Sequence, residues 1–421
     1  MPANDTIHRR IEAVWRIEAP RLIASLTRML RDLGLAEEMA QDALVAALET
    51  WPMQGMPDRP GAWLMTTAKR RAIDTLRRNA LATRKVEQLG HETDLLQSDD
   101  TGMDPDDDIG DDLLRLVFTA CHPVLPPDAR VALTLRVLGG LSTQEIARAF
   151  LVPEATVAQR IVRAKRTLAE KQVPFEVPHG AELAPRLASV LEVVYLIFNE
   201  GYAATSGSNW MRPALCEQAL RLGRVLVSLA PFEPEAHGLL ALMELQASRF
   251  AARIDTHGEP VLLAEQDRAR WDAARIRRGL AALAQAEKLG GAEGMYALQA
   301  ALAACHARAA HYDVTDWPRI AALYARLANV VDSPVVELNR AVAVSMAQGP
   351  QAGLAMLDAL NDEPRLAGYH LLPSVRGDLL QKLGRIDEAR VAFEHAASLA
   401  GNQRERELLV RRATACVQHA S

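Results

Sequence analysis

Apolar residues three and four places apart recur along the chain, and that spacing restricts it more than any other feature. Ile11, Val14 and Trp15 open one stripe, and Leu22, Ile23, Leu26 and Leu30 continue it beyond Pro20. A stripe of this period lines one face of an α-helix and cannot line one face of a strand. Ala, Leu and Arg are abundant and β-branched runs are few, which adds helix propensity to the pattern. The expected fold is all-α, and 421 residues are enough for two to four domains.

The four cysteines, Cys121, Cys216, Cys305 and Cys416, are far apart and form no CxxC pair. That spacing argues against a zinc site or a disulfide framework and suits a reducing cytoplasm. No apolar signal segment is visible in MPANDTIHRRIEAVW. The most apolar run, residues 187–198, is too short to span a bilayer and carries Glu192. A soluble cytoplasmic chain with no membrane partner is expected. The formal net charge is only -5, but cations cluster near 69–85 and 160–171 with an acidic stretch between them. Such asymmetry points to nucleic acid more than the overall charge does.

Residues 34–52 read as a helix, apolar at Leu44, Ala47 and Leu48 and acidic at its start. A Gly- and Pro-rich loop, 53–61, follows. AWLMTTAKRRAIDTLRR (62–78) then sets Trp63, Leu64, Ile73 and Leu76 among Lys69, Arg70, Arg71, Arg77 and Arg78. SDDTGMDPDDDIGDD (98–112) has eight aspartates and little apolar surface to offset ordering entropy, so residues 86–112 read as a flexible acidic linker. An acidic metal-ligand tract is the alternative, and its spacing favours it less.

LSTQEIARAFLVPEATVAQRIVRAKRTL (141–168) is the most specific local pattern. Ser142 and Glu145 form an S-x-x-E capping box after Gly139-Gly140, and Ile146, Ala147 and Phe150 give the helix a buried side. Pro153 suits the first turn of the next helix. That helix would bury Val157, Ile161 and Leu168 and present Thr156, Gln159, Arg160, Arg163, Lys165 and Arg166. Two short helices, a tight turn and a basic polar face on the second follow helix-turn-helix logic. Arg and Gln can reach base edges, and the cations neutralise phosphates. An ordinary helical hairpin with a solvated basic face is the plainer reading.

In combination these motifs resemble regions 2 and 4 of bacterial sigma factors of the extracytoplasmic-function class. Region 2 is carried by AEEMAQDALVAALETWP with GAWLMTTAKRRAIDTLRR, and region 4 by 141–168. YLIFNEGYAATSG (195–207), LLAEQDRARWD (262–272) and tetratricopeptide-like helices resemble the group of these factors with a long C-terminal domain. The implied layout is region 2 over 1–85, the linker over 86–112, region 4 over 113–172, a helical extension over 181–310 and tetratricopeptide-like repeats over 311–421. In the last segment Gly377, Ala389, Phe393 and Ala396 fall at repeat spacing, and Gly353 matches Ala389 in a looser copy.

The resemblance implies a promoter-specificity subunit, not an enzyme, with no cofactor and no metal. Its partners would be the clamp helices and flap of core RNA polymerase, promoter DNA and, for the repeats, a protein or peptide. Glu38, Gln41, Asp42 and Val45 would meet the polymerase; a plain amphipathic core helix is the alternative. Trp63, Lys69, Arg70, Arg71, Arg77 and Arg78 would hold the −10 element, Trp63 serving either to stack on an unpaired base or to anchor the core. Thr156, Gln159, Arg160, Arg163, Lys165 and Arg166 would read the −35 element. In the extension, Asn199, Glu200, His237, Gln266, Asp267 and Arg268 are candidates for a pocket, against a buried network holding helices in register. Gly201 would cap the apolar helix that ends at NEGY. The extension would regulate activity in cis. The competing function is a stand-alone helix-turn-helix regulator with a tetratricopeptide-type sensor.

Overall fold

The computed structural model describes residues 2–86, 105–150, 152–203, 211–255 and 260–419. Among these residues there are eighteen α-helices and no strand; the one extended pairing is a bridge between Ile254 and Pro260. The chain divides into two compact units, residues 1–193 and 194–421.

In the first unit, α1 (Pro2–Leu30), α2 (Leu33–Gln54) and α3 (Pro60–Val86) pack on one another. Leu22, Ile23 and Leu26 of α1, Trp51 of α2 and Leu64 of α3 are buried. Asp32 caps α2, its Oδ1 accepting from the Leu35 N–H at 2.9 Å. The buried face of α2 is mostly alanine: Ala36, Ala40, Ala43 and Ala47 are fully enclosed. Small side chains let helices approach closely, so the contact face turns towards the alanines. Of Leu44, Ala47 and Leu48, read from sequence as the apolar stripe, Ala47 is on this face, and Leu44 and Leu48 are only half-buried beside it.

A fourth helix, α4 (Pro105–Ala120), starts inside the stretch read as a flexible linker. Residues 105–112 are therefore helical, while 87–104 lie outside the described residues. Asp112 is 2% exposed and is held by Arg28 at 3.2 Å and Arg115 at 2.9 Å. Two guanidiniums make burial of this carboxylate tolerable, and composition alone gives no sign of the distant one.

The unit continues through α5 (Pro127–Val137), α6 (Thr143–Phe150) and α7 (Glu154–Glu170). Gly140, at φ +68°, turns the chain into α6. The first part of α8 (Leu183–Tyr202) closes the unit. Buried Arg130 donates to Ser189 Oγ at 2.5 Å and Glu192 at 2.9 Å, and Arg186 donates to the Phe118 carbonyl at 3.0 Å. Residues 183–193, assigned from sequence to the extension, thus pack against α4 and α5 of the first unit. Regions 2 and 4, read as separate small domains, share this compact unit.

The second unit holds the rest of α8 with α9 (Pro213–Leu229), α10 (Pro234–Ala247), α11 (Ala273–Lys288), α12 (Met295–Arg308) and α13 (Trp317–Val330). It ends with α14 (Pro334–Gln348), α15 (Pro350–Asp358), α16 (Leu371–Lys382), α17 (Ile386–Leu399) and α18 (Gln403–His419). Gly201 lies in the last turn of α8, one residue before its end at Tyr202. A Cβ there would stand 2.7 Å from Cys216 Sγ and 2.8 Å from the Cys216 nitrogen, so glycine is required by the approach of α9. Glu244, 1% exposed, is shared by Arg224, Arg275 and Arg278 and ties α9, α10 and α11 together.

Towards the C-terminus each helix packs on the next, as in tetratricopeptide-type stacks: α14 on α15, α15 on α16, α16 on α17 and α17 on α18. Gly353 and Ala389 occupy α15 and α17, the second helices of successive pairs. A Cβ on Gly353 would stand 2.5 Å from the Ser345 Cβ, and Ala389 is wholly buried. Gly377 faces the ring of Phe393, itself fully buried. The four cysteines are free and buried.

Candidate polymerase and nucleic-acid interface

The capping box forms as its spacing predicts. Ser142 N–H donates to Glu145 Oε2 at 2.8 Å, and Glu145 N–H donates to Ser142 Oγ at 3.1 Å. Pro153 stands at the N-cap of α7. Val157, Ile161, Ala164 and Leu168 are the buried side of that helix.

On the opposite side of α7 the candidate −35 residues do not all stand alike. Gln159 and Arg163 are exposed, and Thr156 is half-buried. Arg166 is exposed and paired one turn on with Glu170 at 2.6 Å. Arg160 bridges to Asp128 at 2.8 Å. Lys165 is half-buried and pairs with Glu37 of α2.

Glu37 is the residue that the motif reading passed over. It is 3% exposed, and its Oε1 accepts from Arg136 Nε of α5 at 2.6 Å and from Gln41 Nε2 at 2.5 Å. Burial would raise its carboxyl, but the charges of Lys165 and Arg136 and their hydrogen bonds outweigh that and hold it below the ordinary carboxylate value. One signal was present in the sequence: Glu37 lies four residues after Leu33 and three before Ala40, on the buried stripe. A second bridge joins the same modules, Arg16 of α1 donating at 2.7 Å to the capping Glu145.

The candidate polymerase edge lies along α2. Glu38 is exposed and Val45 is 49% exposed, while Gln41 and Asp42 are half-buried. An accessible valine beside carboxylates suits docking onto a partner helix. Asp42 also meets Arg71 of α3 at 3.2 Å.

Along α3, Lys69, Arg70 and Arg77 are exposed and Arg71 is half-buried; the Arg78 side chain is outside the described residues. Trp63 is half-buried and sits edge-on to Trp51, with ring centroids 5.3 Å apart at 69°. It is anchored on the core and keeps part of its surface open. The two roles expected for it are therefore compatible in one side chain.

The six candidates for an extension pocket are not brought together. Glu200 pairs with Arg212, and the His237 ring contacts the Pro231 carbonyl at 2.8 Å. These are register-holding contacts, and Asn199 is exposed. Gln266, Asp267 and Arg268 instead line a cavity with residues 307–313. Sequence distance hid this, because the far wall comes from the loop after α12.

Comparisons with known proteins give the family of the chain. Residues 15–81 match the family Sigma-70 region 2, and residues 115–168 match Sigma-70, region 4. Residues 186–287 match a family of unknown function, DUF6596. An uncharacterized protein of Rhizobium meliloti, R00370, is 45% identical over 92% of this chain and 91% of its own length. The ECF RNA polymerase sigma factor SigK of Mycobacterium tuberculosis is 30% identical over 35% of this chain and 78% of its own. The probable ECF sigma factor SigI of the same species is 28% identical, and the match spans 40% of this chain and 58% of SigI. The solved structure of yeast Tom70 aligns with a TM-score of 0.38 and 12% identity over 94% of this chain and 83% of that one, a likeness on which nothing further rests. The chain belongs to the ECF RNA polymerase sigma factors.

Proposed function

We propose that this protein directs core RNA polymerase to a dedicated set of promoters, that α3 holds the −10 element and α7 reads the −35 element, and that the second unit regulates this in cis. The observation that carries the promoter-reading role is the capped helix-turn-helix of α6 and α7, preceded in the chain by the cationic face of α3. A role in recognition needs no reaction chemistry, and the paired cations found here serve phosphate binding equally well. Among the described residues no helix is long and apolar enough to cross a membrane, in keeping with a partner that works on DNA.

Reading both elements at once places a mechanical demand on the first unit. Sites about 25 base pairs apart lie roughly 85 Å apart on B-DNA at 3.4 Å per pair. In this structure α2 and α7 touch through Glu37 and Lys165. Promoter engagement therefore parts the two modules, and phosphate replaces Glu37 as the partner of Lys165. Support for regulation in cis comes from the size of the second unit and its stack of helix pairs, an architecture suited to contacting a protein surface.

The test is transcription from a genomic promoter library by core polymerase supplied with the full-length protein. Promoter-specific transcripts are expected. Arg163→Ala should shift −35 preference by about 1–3 kcal/mol if that side chain reads a base, whereas equal weakening at every promoter would make it a phosphate contact. Operator binding without core polymerase, and no stimulated transcription, would favour a stand-alone regulator. Removing residues 194–421 should change promoter output in cells; unchanged output refutes regulation in cis.

A further inference from the structure

The second unit contains a cavity that promoter reading does not use. Its volume is about 670 Å³, within the roughly 300–1,000 Å³ of small-molecule sites, and its walls include Gln266, Arg268, Trp271, Arg308 and Tyr312. Arg268 is its most constrained member. The guanidinium lies 4.2 Å from the centre of the Trp271 ring, and Nη1 donates to the His306 carbonyl. Its Nε and Nη2 are shut off from solvent and have no acceptor among the described residues.

Arg268 and Arg308 line this cavity together with Asp267 and Asp313, and Arg249 stands just behind it. Arg249 also lies over Trp271, at 5.3 Å, and its donors go to the neutral amides of Gln266 and Gln246, each at 3.2 Å. Arg308 adds a third guanidinium, exposed on the cavity wall. Of the two lining aspartates, Asp267 accepts at Oδ1 from the Ala269 N–H at 2.9 Å, and among the described residues neither forms an ion pair with Arg249, Arg268 or Arg308. The field is felt by His306, whose pKa falls to about 4 through burial and then through Arg249 and Arg268. A partly buried arginine with idle donors gains little for the fold and marks a place where an anion would be welcome.

We propose that this cavity is a binding site for a small oxyanion, a carboxylate or phosphate group, with Arg268 and Arg308 as its anion-binding residues. Arg249 contributes charge while it holds Gln266, and Trp271 supplies the flat surface on which the guanidiniums are kept. Planar guanidinium forks match both carboxylate and phosphate oxygens, so the geometry selects the charge class and the test separates its two members.

The experiment uses the full-length protein and needs no polymerase, so its outcome is independent of the promoter-reading role. Thermal unfolding and titration calorimetry would be run with inorganic phosphate and with succinate, each against sodium chloride at equal ionic strength. At least one probe should raise the unfolding midpoint by about 2–4 °C, as saturating binding to the native state does. Arg308→Gln, at an exposed position where folding is not at risk, should weaken that probe at least tenfold, and Arg268→Gln should do the same or more. A response to phosphate alone assigns a phosphorylated ligand, and a response to succinate alone assigns a carboxylate. No response to either probe overturns the proposal. A response that chloride reproduces, or that Arg308→Gln keeps in full, overturns it as well.

Discussion

Single residues decide how the two promoter-reading modules are held. Glu37 on α2 is enclosed, and its partners Arg136 and Lys165 come from α5 and α7. Both cations keep partial access to water, so losing the carboxylate should cost less than isolating a fully buried charge. Glu37→Gln is expected to destabilise the protein by about 1–3 kcal/mol at pH 7, read from urea unfolding. The sign with pH follows from the lowered folded-state value: the stabilisation is complete above the usual carboxylate range near 4.5 and is lost as pH falls below it. Wild-type and variant curves should therefore converge in acid; a constant gap would mean that charge pairing is not the cause. The capping pair Ser142 and Glu145 was legible in the sequence because its members are three residues apart. Glu37 and Arg136 are 99 residues apart, and no local pattern could join them.

Helices are where sequence and structure agree most closely and where their differences are most informative. The buried side of α7 falls on Val157, Ile161 and Leu168 as the spacing predicts, because one helix period determines it. The buried face of α2 follows alanines instead of leucines, since close packing rewards small side chains and only the neighbouring helices set that distance. Gly201, expected to cap α8, stands in the last turn of that helix, where its missing Cβ admits α9. Gly377 answers to the same logic: its missing Cβ would stand 2.6 Å from Phe393 Cε1. Gly377→Ala should gain up to about 1 kcal/mol in helix propensity and lose about 1–3 kcal/mol by overpacking, a net loss. A raised melting temperature would show that the ring can move aside.

At the scale of the molecule, the boundary between units falls within α8, after Val193. The layout expected from the sequence, with region 4 ending at 172 and the extension beginning at 181, puts the break earlier. Arg130 explains the difference. It is 7% exposed and depends on Ser189 and Glu192 for its hydrogen bonds. A fragment of residues 1–180 would strip this cation of those acceptors, whereas residues 1–193 would retain them. The shorter fragment should be less stable by at least about 1–3 kcal/mol in urea unfolding. Equal midpoints would place the contribution of residues 183–193 elsewhere.

The sequence by itself determined the all-helical class, the order of the region 2 and region 4 modules, the capping box and the period that decides which side of α7 is buried. Each of these depends on residues within one or two helical turns of one another, where backbone geometry leaves few choices. Only the tertiary structure decided which cations face solvent and which are spent on carboxylates, as Arg163 and Lys165 divide on one helix. It also decided that Arg268 shares a cavity with the loop after α12 and that residues 183–193 belong with the first unit. Those outcomes depend on burial and on charges supplied from distant parts of the chain, and an ion pair formed across such a distance leaves no periodic trace in the sequence.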